Sequence, residues 1–196
     1  MTPFRPRLPL LAALLALTLA ACAGGHGLPP PSTYDFGPGP QAGTAPVPLS
    51  LDLRLAPWLD SPALHYRLAY EDASRLAAYG QSRWAAPVGQ LLNLRLRQQL
   101  GSGAGGSCLL KVEVDEFTQV FDAPQRSRGV LQGRMTLLDK QRKLLSERSI
   151  SVEKPAPSAD ARGGVVALTQ AVDAVGMEGG RWLADLEREA KLASCR

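Results

Sequence analysis

Residues 108–121 read Cys-Leu-Leu-Lys-Val-Glu-Val-Asp-Glu-Phe-Thr-Gln-Val-Phe, and this stretch sets the expected fold. As far as Val114, apolar residues alternate with charged ones, which is the period of a β-strand that buries one face. Phe117 and Phe121 continue the apolar series with shifted parity, which predicts a β-bulge near Asp115-Glu116. The stretch is therefore expected to form the long middle strand of a sheet.

Two more strands are expected after the middle strand. Residues 131–137 place Leu, Gly, Met and Leu at every second position. A charged turn at 139–143 then leads into another extended stretch at 144–153. Strands joined by tight turns in this way predict an antiparallel meander.

Three extended stretches are expected before the meander. Val47 to Leu55 and Ala63 to Tyr70 alternate apolar with mostly polar residues, and a Pro-bounded loop at 57–62 separates them. A shorter stretch, Arg75 to Tyr79, follows a turn at Glu71-Asp72.

Two helices are expected, one on each side of the meander. Residues 87–100 suit either an alternating strand or a helical stripe, and Pro87 at the first turn with Gly101 as a stop favours the helix. After a Pro-Ala-Pro sequence, Ser158 or Asp160 can cap a long second helix. Its apolar stripe, with steps of three and four, consists of Val165, Leu168, Val172, Val175, Gly179, Trp182 and Leu186.

Two glycines bear on how this second helix packs. Gly176 and Gly179 lie on or beside the stripe, and we expect them to let the helix approach the sheet closely; the alternative is a break at Gly179-Gly180 that gives two helices. The element order βββ-α-βββ-α predicts an α+β fold of two layers, in which two helices pack on a mainly antiparallel sheet.

The first residues have the layout of a secretory signal. Two arginines precede an uncharged apolar block, Leu8 to Ala21, and Leu19-Ala20-Ala21-Cys22 matches the lipobox at which bacterial lipoproteins are cut and acylated. The block is shorter than the ~20 residues of a membrane-spanning helix. We therefore predict a signal peptide at 1–21 and lipidation of Cys22, with palmitate among its acyl groups. The alternatives are a retained membrane helix and a secreted protein in which Cys22 is incidental.

A Gly- and Pro-rich segment follows the lipobox. Half of residues 23–48 are Gly or Pro, which predicts a flexible tether over 22–48 and a folded domain over 49–196. Fully extended, the tether would reach up to roughly 80 Å. Tyr34 and Phe36 fall on one face of an extended segment and predict a short edge strand pinned to the domain; the alternative is that these aromatics are incidental.

The charge and the cysteines indicate the compartment. The full chain carries a formal charge of +4, and loss of the two signal-peptide arginines leaves +2, a nearly balanced surface that does not point to nucleic acid. Ala23, rather than aspartate, follows the lipobox cysteine, which favours sorting to the outer membrane. Cys108 and Cys195 then remain in an oxidising compartment, where a disulfide is expected; two unpaired thiols are the alternative.

The sequence contains no recognisable catalytic or metal-binding pattern. His26 and His65 have no partners at metal-ligand spacing, and neither a Gly-x-Ser-x-Gly elbow nor a His-Glu-x-x-His motif is present. The Gly-rich run at 101–107 lacks the Lys-Ser or Lys-Thr of a phosphate loop and leaves a helix rather than entering one, so we interpret it as a connector. We expect no enzyme activity, no metal and no cofactor apart from the lipid on Cys22.

Two motifs resemble a known family. Residues 56–67, Ala-Pro-Trp-Leu-Asp-Ser-Pro-Ala-Leu-His-Tyr-Arg, are similar to a signature of the ABC-type transport auxiliary lipoprotein family, the PqiC-like group. Residues 79–87, Tyr-Gly-Gln-Ser-Arg-Trp-Ala-Ala-Pro, which lead into a leucine-rich helix, are similar to a second signature. The lipobox at Cys22, the early strand at Tyr34 and the run from Phe117 to Asp122 agree in order and spacing.

This resemblance implies a location and a set of partners. It implies an α+β domain anchored at the outer membrane and facing the periplasm. Family members accompany ABC transporters with MCE-domain (mammalian cell entry) proteins, which move phospholipids or other hydrophobic molecules between the two membranes. The implied partners are therefore an MCE-domain protein, the ABC transporter complex, the outer membrane, phospholipid and further copies of this chain in a ring.

The resemblance carries no catalytic residues, but it marks candidate partner contacts. These are Trp58, Leu59, Arg67, Arg83 and Trp84, with Tyr66 at a matching position. For each the alternative is a structural role, as expected for Trp84, whereas the Pro-flanked loop around Trp58 indicates exposure.

Two hypotheses for function follow. The preferred one is an auxiliary subunit of an intermembrane lipid transport system. A variant of it, a lipid-binding module, requires a cavity between helix and sheet. The alternative is a structural or assembly lipoprotein that acts on outer-membrane or secretion machinery without handling lipid.

Overall fold

The computed structural model describes residues 29–40, 43, 45–102 and 106–196. The predicted signal peptide, the lipidation site at Cys22, His26, the first part of the predicted tether and the centre of the Gly-rich connector lie outside the described residues.

Seven strands form one open sheet, and helices pack against it. The strands are β1 (Ser32–Tyr34), β2 (Leu49–Leu55), β3 (Ala63–Leu68), β4 (Ala77–Trp84), β5 (Cys108–Ala123), β6 (Arg126–Leu138) and β7 (Leu144–Pro155). The helices are α1 (Ala69–Asp72), α2 (Val88–Leu100) and α3 (Ala161–Arg188), and a short 3₁₀ turn follows (Ala193–Cys195). The expected α+β fold is confirmed.

β5 is the strand around which the sheet is built. On one side it pairs with β6 along nearly its whole length, and β7 pairs with β6, so the predicted antiparallel meander is confirmed. The register between β5 and β6 shifts between Val114 and Glu116, where the bulge is predicted. On the other side, β2 pairs in parallel with the first part of β5 and β3 with the later part. β4 and β1 extend the sheet beyond β3.

Two strand ends differ from the expected ones. β3 ends at Leu68, where the one-turn helix α1 begins, and after α1 the Asp72 carboxylate closes a turn by accepting hydrogen bonds from the N–H (2.9 Å) and the hydroxyl (2.6 Å) of Ser74. β4 begins later and continues to Trp84, since its second half has β1 as an additional neighbour.

One hydrophobic cluster joins α2, α3 and the face of the sheet that they cover. Its fully buried members include Leu64, Leu92, Leu110, Val112, Leu168, Ala171 and Val172. The predicted cap of α3 is confirmed, because Asp160 accepts a hydrogen bond of 2.7 Å from the N–H of Gly163, which lowers the pKa of Asp160. α3 is continuous through Gly179-Gly180, so the alternative of two helices is wrong.

The two glycines of the α3 stripe have different neighbours. A β-carbon at Gly179 would lie 3.3 Å from Met135 of β6 and from Leu100 of α2, as expected for a close approach to the sheet. A β-carbon at Gly176 would instead overlap the side chain of Gln99 on α2. The expected contact with the sheet is therefore wrong for Gly176, which allows the two helices to come together.

Replacing Gly176 and Gly180 by Ala should change stability in opposite directions. G176A should destabilise by about 1–3 kcal/mol, because Gln99 is buried and held by Asp173 (2.6 Å) and has little room to move. G180A places its β-carbon in open space and should stabilise by up to about 1 kcal/mol through helix propensity. Urea unfolding measures both, and a stable G176A would contradict the close helix contact.

The segment before β2 belongs to the folded domain. β1 pairs with β4, and Phe36 is buried between the rings of Trp84 (5.3 Å between centroids) and Phe117 (6.1 Å). Arg95 of α2 donates a hydrogen bond to the carbonyl of Phe36 (3.0 Å) and pairs with Asp173 of α3 (2.8 Å). The predicted edge strand is therefore present, at residues 32–34.

These contacts correct the predicted boundary between tether and domain at 48/49. The compact unit begins at Pro31, and Val47 is buried. The Gly and Pro content predicted flexibility, but Gly43 lies directly against the end of α2, where its N–H donates to the carbonyl of Gln98 (2.9 Å) and a side chain would overlap Gln99. The absence of a side chain at Gly43 therefore allows the segment to pack closely against α2.

Cys108 and Cys195 form a disulfide, with their Cα atoms 5.1 Å apart. The bridge joins the 3₁₀ turn near the C-terminus to the first residue of β5, and both cysteines are fully buried. The predicted pairing is confirmed, and the alternative of two free thiols is wrong.

Candidate partner-docking site

The loop between β2 and β3, residues 56–62, is held at both ends by backbone hydrogen bonds. The N–H of Ala56 donates to the carbonyl of Val114 on β5 (3.0 Å), and the N–H of Trp84 on β4 donates to the carbonyl of Pro62 (2.8 Å). Pro57 and Pro62 further restrict its backbone. The loop is therefore an ordered platform on the side of the sheet.

Trp58 and Leu59 point in opposite directions from this loop. Leu59 is only 1% exposed and fixes the loop to the core, whereas Trp58 is 64% exposed. Trp is among the residues that most often dominate the binding energy of protein interfaces, because a large rigid ring can be buried there at little entropic cost. The exposure indicated by the Pro-flanked sequence is thus present in the structure.

Asp60 ties the same loop to the start of α2. Its carboxylate accepts a hydrogen bond from the N–H of Gly89 (3.0 Å), in the first turn of the helix, where backbone N–H groups lack helical partners. Asp60 also lines an open groove of about 660 Å³ between β2 and α2. The groove is lined by Leu53, Arg54, Leu55, Asp60, Gly89, Gln90, Asn93, Leu94 and Arg97.

The groove combines apolar and cationic groups. Leu94 is 60% exposed, and Leu53 and Leu55 are half-buried at its floor. Arg54 pairs with Asp52 (3.3 Å), while among the residues that the structure describes no carboxylate lies within 4.0 Å of Arg97. An apolar segment that carries negative charge would complement this surface.

The sequence interpretation did not single out Leu94, Asn93 or Arg97. A signal for Leu94 was available, since it is the leucine of α2 that falls outside the helical stripe formed by Val88, Leu91, Leu92, Leu96 and Leu100. A leucine off the buried stripe must face outward. Nothing in the sequence alone indicates that β2 lies beside it.

Two of the candidate contacts are core residues. Trp84 is 2% exposed and packs against the rings of Phe36 and Phe117, and Leu59 is buried as described above. This corrects their assignment as partner contacts, because neither side chain reaches the surface. Trp84 and Leu59 therefore have a structural role in the core.

Arg67 is engaged within the domain. Its guanidinium donates two hydrogen bonds to the carboxylate of Glu116 (3.2 and 3.0 Å) and one to the carbonyl of Ser74 (3.1 Å). This fork spans the bulge of β5 and the turn after β3, and it leaves 18% of the Arg67 side chain exposed. Arg67 is therefore a structural clamp rather than a contact for a partner, which corrects its assignment.

Tyr66 and Arg83 complete the set. Tyr66 is half-buried against the rings of Tyr79 (4.7 Å) and Phe121 (6.0 Å). Arg83 is exposed on β4, opposite Ala63 at the start of β3. Of the predicted contacts, Trp58 and Arg83 are the ones whose side chains are available at the surface.

The described residues give no sign of a metal centre. Within 29–40, 43, 45–102 and 106–196, no three His, Cys, Asp or Glu side chains come together as metal ligands would. Burial lowers the pKa of the His65 imidazole, against the opposing effect of Glu116.

A comparison with protein families identifies the chain. The model of the ABC-type transport auxiliary lipoprotein component matches residues 38–178. The chain belongs to this family. The match spans β2 to the greater part of α3, and so it includes the Trp58 loop and both walls of the groove. Among curated proteins, no sequence matches this chain.

Two solved structures share the fold of this family member. A Xanthomonas campestris protein of the DUF330 family is 19% identical, with a TM-score of 0.65 over 83% of this chain and 96% of that one. A second, an uncharacterized protein, is 18% identical, with a TM-score of 0.63 over 79% and 99% of the two chains. At these identities the likeness concerns the fold alone.

Family membership sets the general role. The chain is a lipoprotein component auxiliary to an ABC-type transport system. None of the helices in the described part of the chain combines the length and the apolar character needed to cross a membrane.

Proposed function

We propose that this family member is a non-enzymatic docking subunit of an intermembrane lipid transport system of the MCE type, anchored by a lipid on Cys22. The observation that carries the proposal is the exposed Trp58, which an ordered loop presents beside an apolar and cationic groove. An exposed aromatic on a rigid support is typical of a protein interface. The proposed partner is the MCE-domain protein.

The packing of α3 favours docking over lipid storage within the domain. A β-carbon at Gly129 of β6 would lie 2.7 Å from the backbone nitrogen of Leu168, so helix and sheet are in direct backbone contact there. The side chains around this contact are fully buried. A lipid between α3 and the sheet would have to force these close-packed layers apart.

The proposed location is the outer membrane, with the domain in the periplasm. Support comes from the lipobox and from Ala23, which replaces the aspartate of inner-membrane retention. Because the compact unit begins at Pro31, eight residues separate it from Cys22, and such a chain spans about 30 Å at most. The domain would therefore remain close to its membrane, and the partner would have to reach it there.

Replacing Trp58 by Ala is expected to weaken partner binding without loss of stability. The change should cost about 2 kcal/mol of binding free energy, or about 30-fold in Kd, because it removes a ring that an interface would bury. The thermal midpoint should stay close to that of the wild type, since the ring is 64% exposed in the free protein.

The measurement is co-purification of the full-length chain and the MCE-domain protein in mild detergent, after the inner and outer membranes are separated by density. The matched control is M177A, which removes a side chain of similar exposure (56%) from α3. Equal binding by W58A and M177A would contradict the docking site. Recovery of assembly or secretion proteins in place of the MCE-domain protein would instead support the structural alternative.

A further inference from the structure

The outer edge of β2 has backbone groups that no other described strand uses. β2 pairs with β5 alone. The carbonyl of Pro48 accepts from Cys108 and the N–H of Ala56 donates to Val114, so the even-numbered residues of β2 face β5. In a parallel ladder the backbone groups of alternate residues face opposite ways, which directs the N–H and C=O of Leu53 and Leu55 outward.

These outward groups lie at the groove already described. Leu53, Arg54 and Leu55 form one wall of the groove, and α2 forms the other. Within the described ranges, no hydrogen bond connects the backbone of Leu53 or Leu55 to another element. An edge strand beside a helix, with an open groove between them, is the geometry in which an extended peptide adds to a sheet.

We propose that an extended segment of the transport partner binds in this groove as an additional strand on β2. This inference rests on the proposed function and states how the partner is recognised. Backbone hydrogen bonds to Leu53 and Leu55 supply the affinity, and side chains on one face of the segment contact Leu94. Trp58 packs against the segment where it leaves the groove beside Asp60.

The charge of the groove selects the occupant. Arg54 and Arg97 lie along it, and its one carboxylate, Asp60, already accepts the N–H of Gly89. The bound segment therefore carries at least one acidic residue opposite Arg97, between apolar residues. A second copy of this chain fits less well, since its β2 pairs Asp52 with Arg54 (3.3 Å) and so brings no net negative charge to the groove.

Two substitutions at Leu53 separate the backbone from the side chain. L53P removes the outward N–H, and L53A removes the same side chain but keeps the N–H. Proline is tolerated in an edge strand where its N–H would face away from the ladder, so both variants should fold. L53P should bind the full-length MCE-domain protein about tenfold more weakly than L53A, which corresponds to one lost backbone hydrogen bond. Equal affinities would overturn strand addition.

Amide hydrogen exchange on the wild-type complex provides a test without any variant. The amides of Leu53 and Leu55 should become protected when the MCE-domain protein binds. Those of Asp52 and Arg54, which face β5, should keep the protection that they have in the free protein. Unchanged exchange at Leu53 and Leu55 would overturn the inference.

A charge-reversed pair tests the acidic segment. R97E should weaken binding more than R181E, a reversal at an exposed arginine of α3 that lies outside the groove and is not a candidate contact. Equal effects would overturn the proposed occupant, as would protection of Leu53 and Leu55 in a dimer of this chain alone. If W58A loses binding but L53P does not, the result supports docking at the Trp58 loop and contradicts the addition of a strand to β2. If the MCE-domain protein does not bind the wild type, the proposed function itself fails.

Discussion

Replacing Phe36 by Ala is expected to destabilise the domain by about 3–5 kcal/mol, although the residue lies in a Gly- and Pro-rich segment. Phe36 is 7% exposed and makes edge-to-face contacts with Trp84 and Phe117. Its loss would leave a cavity beside the rings of Trp84 and Phe117 and would loosen the contact of β1 with β4. Urea unfolding of the mature domain measures the change.

The control for this prediction is T33A in the same segment. Thr33 is exposed on β1, and its truncation should change stability by no more than about 0.5 kcal/mol. If F36A were as stable as T33A, residues 31–48 would behave as a flexible tether, and the domain would begin at β2 after all.

Removing the disulfide is expected to cause the second large loss of stability. The bridge between Cys108 and Cys195 joins residues 87 positions apart, and the chain-entropy relation gives such a loop about 4.6 kcal/mol. The double variant C108A/C195A should therefore unfold at a much lower urea concentration than the oxidised wild type. The end of the chain should keep a second anchor, because Leu192, just before the 3₁₀ turn that carries Cys195, is equally buried.

Comparison with the reduced wild type separates the bridge from the loss of two sulfur atoms. Reduction should lower the stability by nearly as much as the double substitution, since both remove the same cross-link. A loss below about 1 kcal/mol in both cases would contradict a stabilising role for the disulfide.

The middle of the sheet could be predicted from sequence because its signals are local. Alternation along β5, the shift of parity at Asp115-Glu116 and the charged turn before β7 each depend on neighbouring residues only. The same is true of the ends of the long helices, where Gly101 adopts the left-handed conformation after α2 and Asp160 caps α3.

The parallel pairing of β2 and β3 with β5 could not be predicted in this way. Which strand lies beside which is set by the crossover through α2, and the period of a strand is the same in parallel and antiparallel sheets. The error at the N-terminal segment has a related cause. Glycine content suggested flexibility, whereas the distant residue Arg95 and the cluster around Trp84 hold the segment in place.

The docking site was predicted in part. Pro57 and Pro62 indicated an exposed loop around Trp58, and that position is exposed. Leu59 and Trp84 share the same motifs but are buried, since a motif marks the positions that characterise a family without separating core from surface. Leu53 and Leu55 acquire their role from the position of β2 at a sheet edge, which only the assembled fold reveals.

Site-specific photo-crosslinking in cells tests the central claim most directly. Benzoylphenylalanine is placed at position 58, at position 94 in the groove, and at position 177 on α3 as the exposed control. The account predicts adducts with an MCE-domain protein from positions 58 and 94 and none from position 177. Adducts from 58 and 94 with assembly or secretion proteins alone, or equal adducts from all three positions, would contradict it.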